Sequence, residues 1–317
     1  MQQSQMLHKT QETIGWFSAR NKYKLKLFVI IMPFLLFTIA FNYVPIFGWY
    51  IAFVDYLPGV SIFKQQFAGF EFFKLAIYSG NDMIIALRNT LVLSLLGLLV
   101  SPVPALFAIL LTELKSRWFS KLVQTFSTMP YFFSWIIVYA IFYAVFSTQD
   151  GVLNIILTRL ELAKEPSNIL ANSDIAWLFQ TCVGLFRNTG YGAIIYISAI
   201  AGIDSQLYDA ADVDGAGRFR KIWHITIPSL LPTFLVLFLL NLGNILSAGG
   251  FDQYYVFSNP FVIGKIDVLD TYTYKIGIQN SNYSVATAIG MSKSIVSILL
   301  ILTGNYLSKL IRGKSII

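Results

Sequence analysis

The chain reads as an all-α, polytopic membrane protein with six transmembrane helices, and three observations carry that reading. Of its 317 residues, 56% are apolar and only 12% charged, with a mean hydropathy of +0.64; a soluble domain carries about 25% charged residues. The apolar residues fall in runs long enough to cross about 30 Å of hydrocarbon, which takes about 20 residues. Lysine and arginine are dense in alternate segments between those runs, as the positive-inside rule requires. The length of the runs argues against a soluble protein with an oily core.

The first 26 residues form a polar arm carrying Lys9, Arg20, Lys22, Lys24 and Lys26. The apolar stretch behind it is too long for a signal-peptide core and ends in no small-residue cleavage pattern, so it is expected to remain as a first span. Residues 27–317 then form one six-span domain. Span 1 runs from about Leu27 to Phe53, span 2 from Leu87 to Leu111 and span 3 from Tyr131 to Ser147. Span 4 runs from about Ile175 to Ile203, span 5 from Ser229 to Ala248 and span 6 from Ala288 to Leu310. Pro33, Pro45, Pro102 and Pro104 fall inside or at the ends of spans. Neighbouring helices re-satisfy the freed backbone groups there, so the spans are left unbroken.

With the N-terminus in the cytoplasm, the inside segments hold the five basic residues of the arm, then Lys115, Arg117, Lys121, Arg218, Arg220, Lys221, Lys309, Arg312 and Lys314. The outside segments hold Lys64, Lys74, Arg88, Arg159, Lys164, Lys265 and Lys275. That asymmetry puts both termini in the cytoplasm and makes the net charge of +7 a topology signal, not a nucleic-acid footprint. The outside segments, about 55–86, 148–174 and 249–287, are too long for simple turns. Short interfacial helices and a receiving surface are expected in them.

Several chemistries are poorly supported. One cysteine, Cys182, leaves no partner for an internal disulfide. The two histidines, His8 and His224, lie far apart, so no metal site is expected. There is no G-x-x-x-x-G-K-[ST] phosphate loop, no G-x-S-x-G elbow, no H-E-x-x-H and no clear carboxylate dyad in a span. No catalytic residue is expected, and any ATP that drives this protein must bind another chain.

Between spans 4 and 5 the chain reads YDAADVDGAGRFRKIWHITIP, residues 208–228. Asp204 is placed to cap a helix of two to three turns over Ser205–Val213. Leu207, Ala210, Ala211 and Asp214 share one face, low enough for another backbone to approach, with Asp209 beside it. Gly215 and Gly217 end the helix and permit a reversal. Arg218–Ile225 resumes helix, and Pro228 suits a first helical position. The loop at about 203–228 is thus a short knob joined rigidly to two spans, suited to passing force from a soluble partner. An ordinary surface helix between two spans would show the same features.

The order D-A-A, D-G-A, I-x-I-P at Asp209–Ala211, Asp214–Ala216 and Ile225–Pro228 resembles the EAA loop of ABC-importer permeases. The family pattern begins with Glu; here Asp209 is one methylene shorter. The segments NYVPIFGWYIAFVDY (42–56), RNTLVLS (88–94), QTFSTMPYFFSW (124–135), GFDQYYV (250–256) and DTYTYKIG (270–277) are similar to the carbohydrate-uptake branch that imports oligo- and polysaccharide fragments. The similarity covers nearly all of the chain after about residue 25. It implies the type I importer architecture in a bacterial plasma membrane, with a second, homologous permease, two ATPase subunits or a dimeric ATPase, and an extracellular substrate-binding protein. It makes 209–211, Asp214, Gly215 and Pro228 the coupling helix that docks on the ATPase. ATP and Mg are then held by that ATPase and no cofactor by this chain.

Polar residues at membrane depth mark candidate transport paths. Arg187 and Asn188 stand mid-span before Gly190-Tyr191-Gly192. They suit solute contact with a glycine hinge, or an interfacial arginine with glycines that let helices pack. Asn241, Asn244 and Ser247 share a face of span 5; their polar groups suit sugar hydroxyls or neighbouring helices equally. Lys293 has the same ambiguity. Trp135, Tyr139 and Tyr143 repeat every four residues and suit sugar stacking, although helix packing explains the stripe better. Phe251, Asp252, Gln253 and Tyr254 are placed to gate the outer mouth or meet the binding protein. The rival reading, an ion-gradient-driven secondary transporter, calls for a buried Asp or Glu within a span and an inverted repeat, and neither is evident.

Overall fold

Apolar runs in a membrane become helices because a helix satisfies its own backbone N–H and C=O groups, and helices occupy all six expected positions. The computed structural model describes residues 19–312 except 79, 164, 248 and 249. Lys9, Lys164, Ala248 and Lys314 therefore lie outside the described residues. Four helical segments are long and apolar enough to cross a membrane, at Tyr23–Phe53, Asn81–Thr112, Arg218–Gly243 and Tyr283–Tyr306. A fifth is a broken pair, Arg117–Phe132 and Trp135–Phe146, bent by 111°.

The chain divides into two units, Met1–Ile51 and Ala52–Ile317. The first holds α1 (Ala19–Thr38), a wide π turn at Ile39–Tyr43 and the start of a tight helix over Val44–Phe53. The second opens with the only departure from all-α among the described residues, a two-residue hairpin of β1 (Val54–Asp55) and β2 (Gln66–Phe67), antiparallel with Val54 opposite Phe67. Gln65 clips the hairpin loop, donating to the carbonyls of Leu57 and Val60 and accepting from the Leu57 amide.

Next come α2 (Glu71–Tyr78) and α3 (Asn81–Leu99), a turn at 100–102, and α4 (Val103–Thr112). Span 2 thus starts six residues before the expected Leu87. Asp82 and Arg88 hide that first stretch from an apolar window, although an acid in the first turn favours the helix. Proline at position two of α4 costs nothing, since that N–H has no partner anyway.

Span 3 was expected to run straight from Tyr131 to Ser147. It is instead α5 (Arg117–Thr128), a tight turn over Met129–Phe132 and α6 (Trp135–Phe146), with the sharp bend between 132 and 135. Ser134 accepts from the Ile137 amide and starts α6 afresh. Twelve residues rise only about 18 Å, so α6 alone is too short to cross. α7 (Val152–Arg159) lies in the next connection, as the expectation of short helices there required.

The sixth segment, α8 (Ala176–Ala201), has 26 residues. At 1.5 Å per residue it reaches about 39 Å, but with Gln180, Arg187 and Asn188 it holds no stretch as apolar as those of the four long spans. It is unbroken through Gly190 and Gly192, so the glycines form no hinge. A Cβ on Gly190 would stand 2.1 Å from the Ser127 carbonyl oxygen, and one on Gly192 would stand 3.2 Å from Pro104. Both glycines exist for close packing on α5 and α4.

α9 (Ser205–Val213) leads through a reversal to α10 (Arg218–Lys221), a π turn at Ile222–Thr226 and α11 (Ile227–Gly243). Pro228 therefore does not begin a helix, which corrects the expectation; helical backbone already runs from Arg218. The π turn sends the Ile227 N–H back to the Ile222 carbonyl, one residue further than an α-turn, just where Pro228 has no N–H to give. α11 ends at Gly243 with Asn244 as its cap, short of the expected Ala248.

The connection 249–287 is the largest departure. It holds α12 (Phe251–Val256), α13 (Ile263–Ile266), α14 (Leu269–Tyr274) and a π turn at Lys275–Gln279. These short helices were expected, but as a surface. Instead Tyr254, Phe257, Val262, Ile266, Val268, Leu269 and Tyr272 are buried. The segment is a plug wedged against α3 and α8, and its backbone is satisfied by their side chains. Thr90 accepts from the Leu269 amide at 2.8 Å, and Asn89 donates to the carbonyls of Gly264 and Asp267 at 3.2 and 2.9 Å. Arg88 donates to Gly264 O at 2.8 Å, and Trp177 Nε1 to Lys265 O at 2.7 Å. The chain closes with α15 (Tyr283–Arg312), which starts five residues before the expected Ala288.

Candidate functional site

The expected site residues fall in two groups: one in the turn that joins α8 to α11, the other at mid-α8, at the far end of α11 and in the plug. In the first group α9 stands clear of the bundle. Asp204 caps it, accepting from the Gln206 amide at 2.9 Å. Gly215 adopts φ +71° and closes it with a Schellman pair: Gly215 N to Asp212 O at 3.1 Å and Ala216 N to Ala211 O at 2.8 Å. Gly217 has φ −69° and open space where a Cβ would go, so no backbone demand fixes a glycine there.

The helix is anchored on its inner side. Tyr208 Oη meets Thr226 Oγ1 at 2.9 Å, and Ala211 is half-buried. Lys221 pairs with Asp212 at 2.6 Å, and Arg218 with Glu113 at the end of α4 at 2.7 Å. Ala210, Asp209, Asp214 and Leu207 face outward. The carboxylates of Asp209 and Asp214 have no ion pair or hydrogen bond among the described residues. The two alanines therefore face different ways, whereas the helix-spacing rule had put them on one smooth face.

Between α3, α8 and α11 lies a cavity of about 550 Å³, a size typical of small-molecule pockets. Asn188, Tyr191, Asn241, Asn244 and Gln253 line it, so five candidate residues from three separate segments converge. Tyr131 joins them, its ring stacked on Tyr191 at 3.7 Å between centroids and 2° between planes. Spacing along the sequence offers no clue to that stack, because the two residues are sixty positions apart. Ser94, Thr181, Thr189 and Tyr196 also face the cavity and had no signal beyond being polar residues in apolar runs.

Arg187, Trp135 and Tyr139 do not line the cavity. The bend before α6 frees the Phe133 carbonyl, and the Arg187 guanidinium donates to it at 3.3 and 3.4 Å. The same guanidinium lies over the rings of Trp135 (4.4 Å) and Tyr131 (5.3 Å). Its charge is held by carbonyl and π density behind the Tyr131–Tyr191 stack. Tyr139 packs edge-on against Phe257 in the core. Phe251 stacks on Tyr255 and meets Tyr274, while Asp252 is exposed. Gln253 and Tyr254 are buried and offer no surface to a soluble partner. Burial pushes the Tyr254 phenol well above its ordinary pKa, so it stays neutral. Gln253 donates to both the backbone and the side-chain oxygen of Gln180, at 2.8 and 2.9 Å, and closes the plug end of the cavity.

Residues 101–314 match the model of the binding-protein-dependent transport system inner membrane component family. The chain belongs to this family. The permease is 38% identical to protein LplB of Bacillus subtilis over 93% of this chain and 92% of that one. It is 34% identical to the polygalacturonan/rhamnogalacturonan transport system permease protein YteP of the same organism, over 89% and 87%. Among solved structures it matches a permease chain of a bacterial ABC transporter for the acidic polysaccharide alginate, with a TM-score of 0.81 at 31% identity over 92% of this chain and 97% of that one. A second structure of an alginate ABC transporter, in complex with its alginate pentasaccharide-bound periplasmic protein, matches with a TM-score of 0.82 at 30% identity over 95% and 99%. The permease is a multi-pass membrane component of an ABC importer, with the fold of that class.

Proposed function

We propose that the permease moves an oligosaccharide or polysaccharide fragment across the membrane by ATP-driven alternating access. One observation carries the reading: the cavity gathers Asn188, Asn241 and Asn244 around the Tyr131–Tyr191 stack. Amides serve sugar hydroxyls as both donors and acceptors, and aromatic faces take the C–H side of a pyranose. Among the described residues the lining carries no charged side chain and no reactive pair, so it suits passage, not chemistry. The names of YteP and of the alginate transporters support the substrate class.

In this reading α9 is the coupling helix. Asp209 and Ala210 meet a cleft on an ATPase, Asp214 flanks the contact, and Gly215 holds the reversal that joins α9 to α10. The Arg218–Glu113 and Lys221–Asp212 pairs make the knob move with α4 and α11. ATP and Mg are held by that ATPase, a second permease supplies the other half of the path, and a binding protein delivers the sugar. The α9 end and both termini face the cytoplasm, as the lysine and arginine distribution favours.

The test is uptake into proteoliposomes that hold both permeases and the ATPase, supplied with loaded binding protein. Asn241→Leu with Asn244→Leu should cut uptake at least tenfold while membrane content and ATPase assembly stay level. Wild-type uptake in that variant would overturn the assignment of the path.

A further inference from the structure

Among the described residues four ion pairs occur, and one of them ties the plug to a span: Lys293 of α15 pairs with Asp270 of α14. A second, Lys275–Asp267 at 2.8 Å, braces the plug internally. Lys293 lies ten residues beyond Tyr283, about 15 Å along the helix and so near the middle of the ~30 Å hydrocarbon layer. A lysine at that depth is costly to leave facing lipid, so the pair with Asp270 is hard to give up. The plug is also fixed to α3 by Arg88, Asn89 and Thr90. Its ties to α8 are uncharged on the α8 side: hydrogen bonds from Gln253 and Trp177, the Lys265 ammonium 4.2 Å over the Trp177 ring, and apolar packing of Phe257, Val262 and Ile266 in one core with Ala176, Phe179 and Val183.

The span that begins with α3 is itself broken at 100–102. Its first half carries the plug, and its second half, α4, packs on α8 through Pro104 and Gly192. Two bodies therefore meet along α8: plug, α3 and α15 on one side, α8 and α4 on the other. Gln253 and Gln180 sit on that line where it closes the cavity.

We propose that Gln180–Gln253 is the latch of the gate and Asp270–Lys293 its pivot: the plug parts from α8 and stays with α15 when the cavity opens at that end. The proposal rests on the alternating-access reading. Its test uses two cysteine pairs, each in a Cys182→Ser background of the assembled transporter, joined by a short, reducible bis-thiosulfonate. For Gln180→Cys with Gln253→Cys, crosslinking should cut ATP-driven uptake at least tenfold, and reduction should restore it. For Asp270→Cys with Lys293→Cys, the reduced form should already be at least tenfold impaired, and crosslinking should raise uptake several-fold by replacing the lost tie. Size-exclusion chromatography confirms that each variant remains assembled. Crosslinks that act with the same sign at both sites, or that change nothing, overturn the gate. Absence of ATP-driven uptake in the unmodified transporter would instead overturn the transport reading beneath it.

Discussion

The two ends of the permease treat their polar groups in opposite ways. At the α9 end, Asp209 and Asp214 stand exposed and unpaired on a helix whose inner side is pinned by Tyr208, Asp212 and Arg218. At the plug end, the polar groups face each other: Thr90 with Leu269, Gln253 with Gln180, Lys293 with Asp270. On the proposed reading, the α9 end works on another protein and leaves its outward groups free for it. The plug end, proposed to close on itself, satisfies them internally, since unpaired polar groups at membrane depth cost several kcal/mol each.

That contrast can be broken by substitution, and the largest effect is expected where both ends depend on one helix. Gly190→Ala drives a methyl into the Ser127 backbone, which neither helix can yield cheaply. Overpacking of this kind costs about 1–3 kcal/mol or more, and the level of assembled protein in the membrane should fall severalfold. Next comes Asp209→Arg, which reverses an exposed charge without touching the fold. Membrane level should match wild type while ATP-driven uptake drops at least tenfold. Gly215→Leu forces a branched side chain into φ +71°, at a cost of about 1–2 kcal/mol. It should lower the thermal midpoint slightly and reduce uptake by disturbing the reversal. Removing the cap with Asp204→Ala should cost about 1 kcal/mol and reduce uptake mildly. Gly217→Ala, with open space and an ordinary φ, should change neither quantity; a large effect there would show that the loop is read by contact, not by backbone geometry.

Much of this was legible in the residues. Asp204, the helix over 205–213 and the reversal at Gly215 follow from local capping and turn chemistry, which acts within a few positions. Asn188, Tyr191, Asn241 and Asn244 were found as polar residues in apolar runs, and their convergence in one cavity came from the packing of α8 against α11. Three features were not legible, each for a physical reason. The bend at 133–134 is marked only by Ser134 in an otherwise apolar run, too little to register in a hydropathy window, and Arg187 reads as a path residue because its acceptor, Phe133 O, is made available only by that bend. The plug looked like a surface loop because its residues are aromatic and polar by turns; its burial depends on Asn89 and Thr90, more than 170 positions away. Pro228 looked like a helix start because a π turn that absorbs a missing N–H leaves no pattern in the residues.

The central claim is that the outward face of α9 is gripped by an ATPase while its inward face belongs to the permease. The most direct measurement places a photo-crosslinking amino acid at Ala210 or, separately, at Tyr208 in the assembled, transporting complex. The account predicts that Ala210 captures the ATPase subunit and that Tyr208 captures only the permease itself. ATP-driven uptake with no ATPase captured from Ala210, or equal capture from both positions, would contradict it.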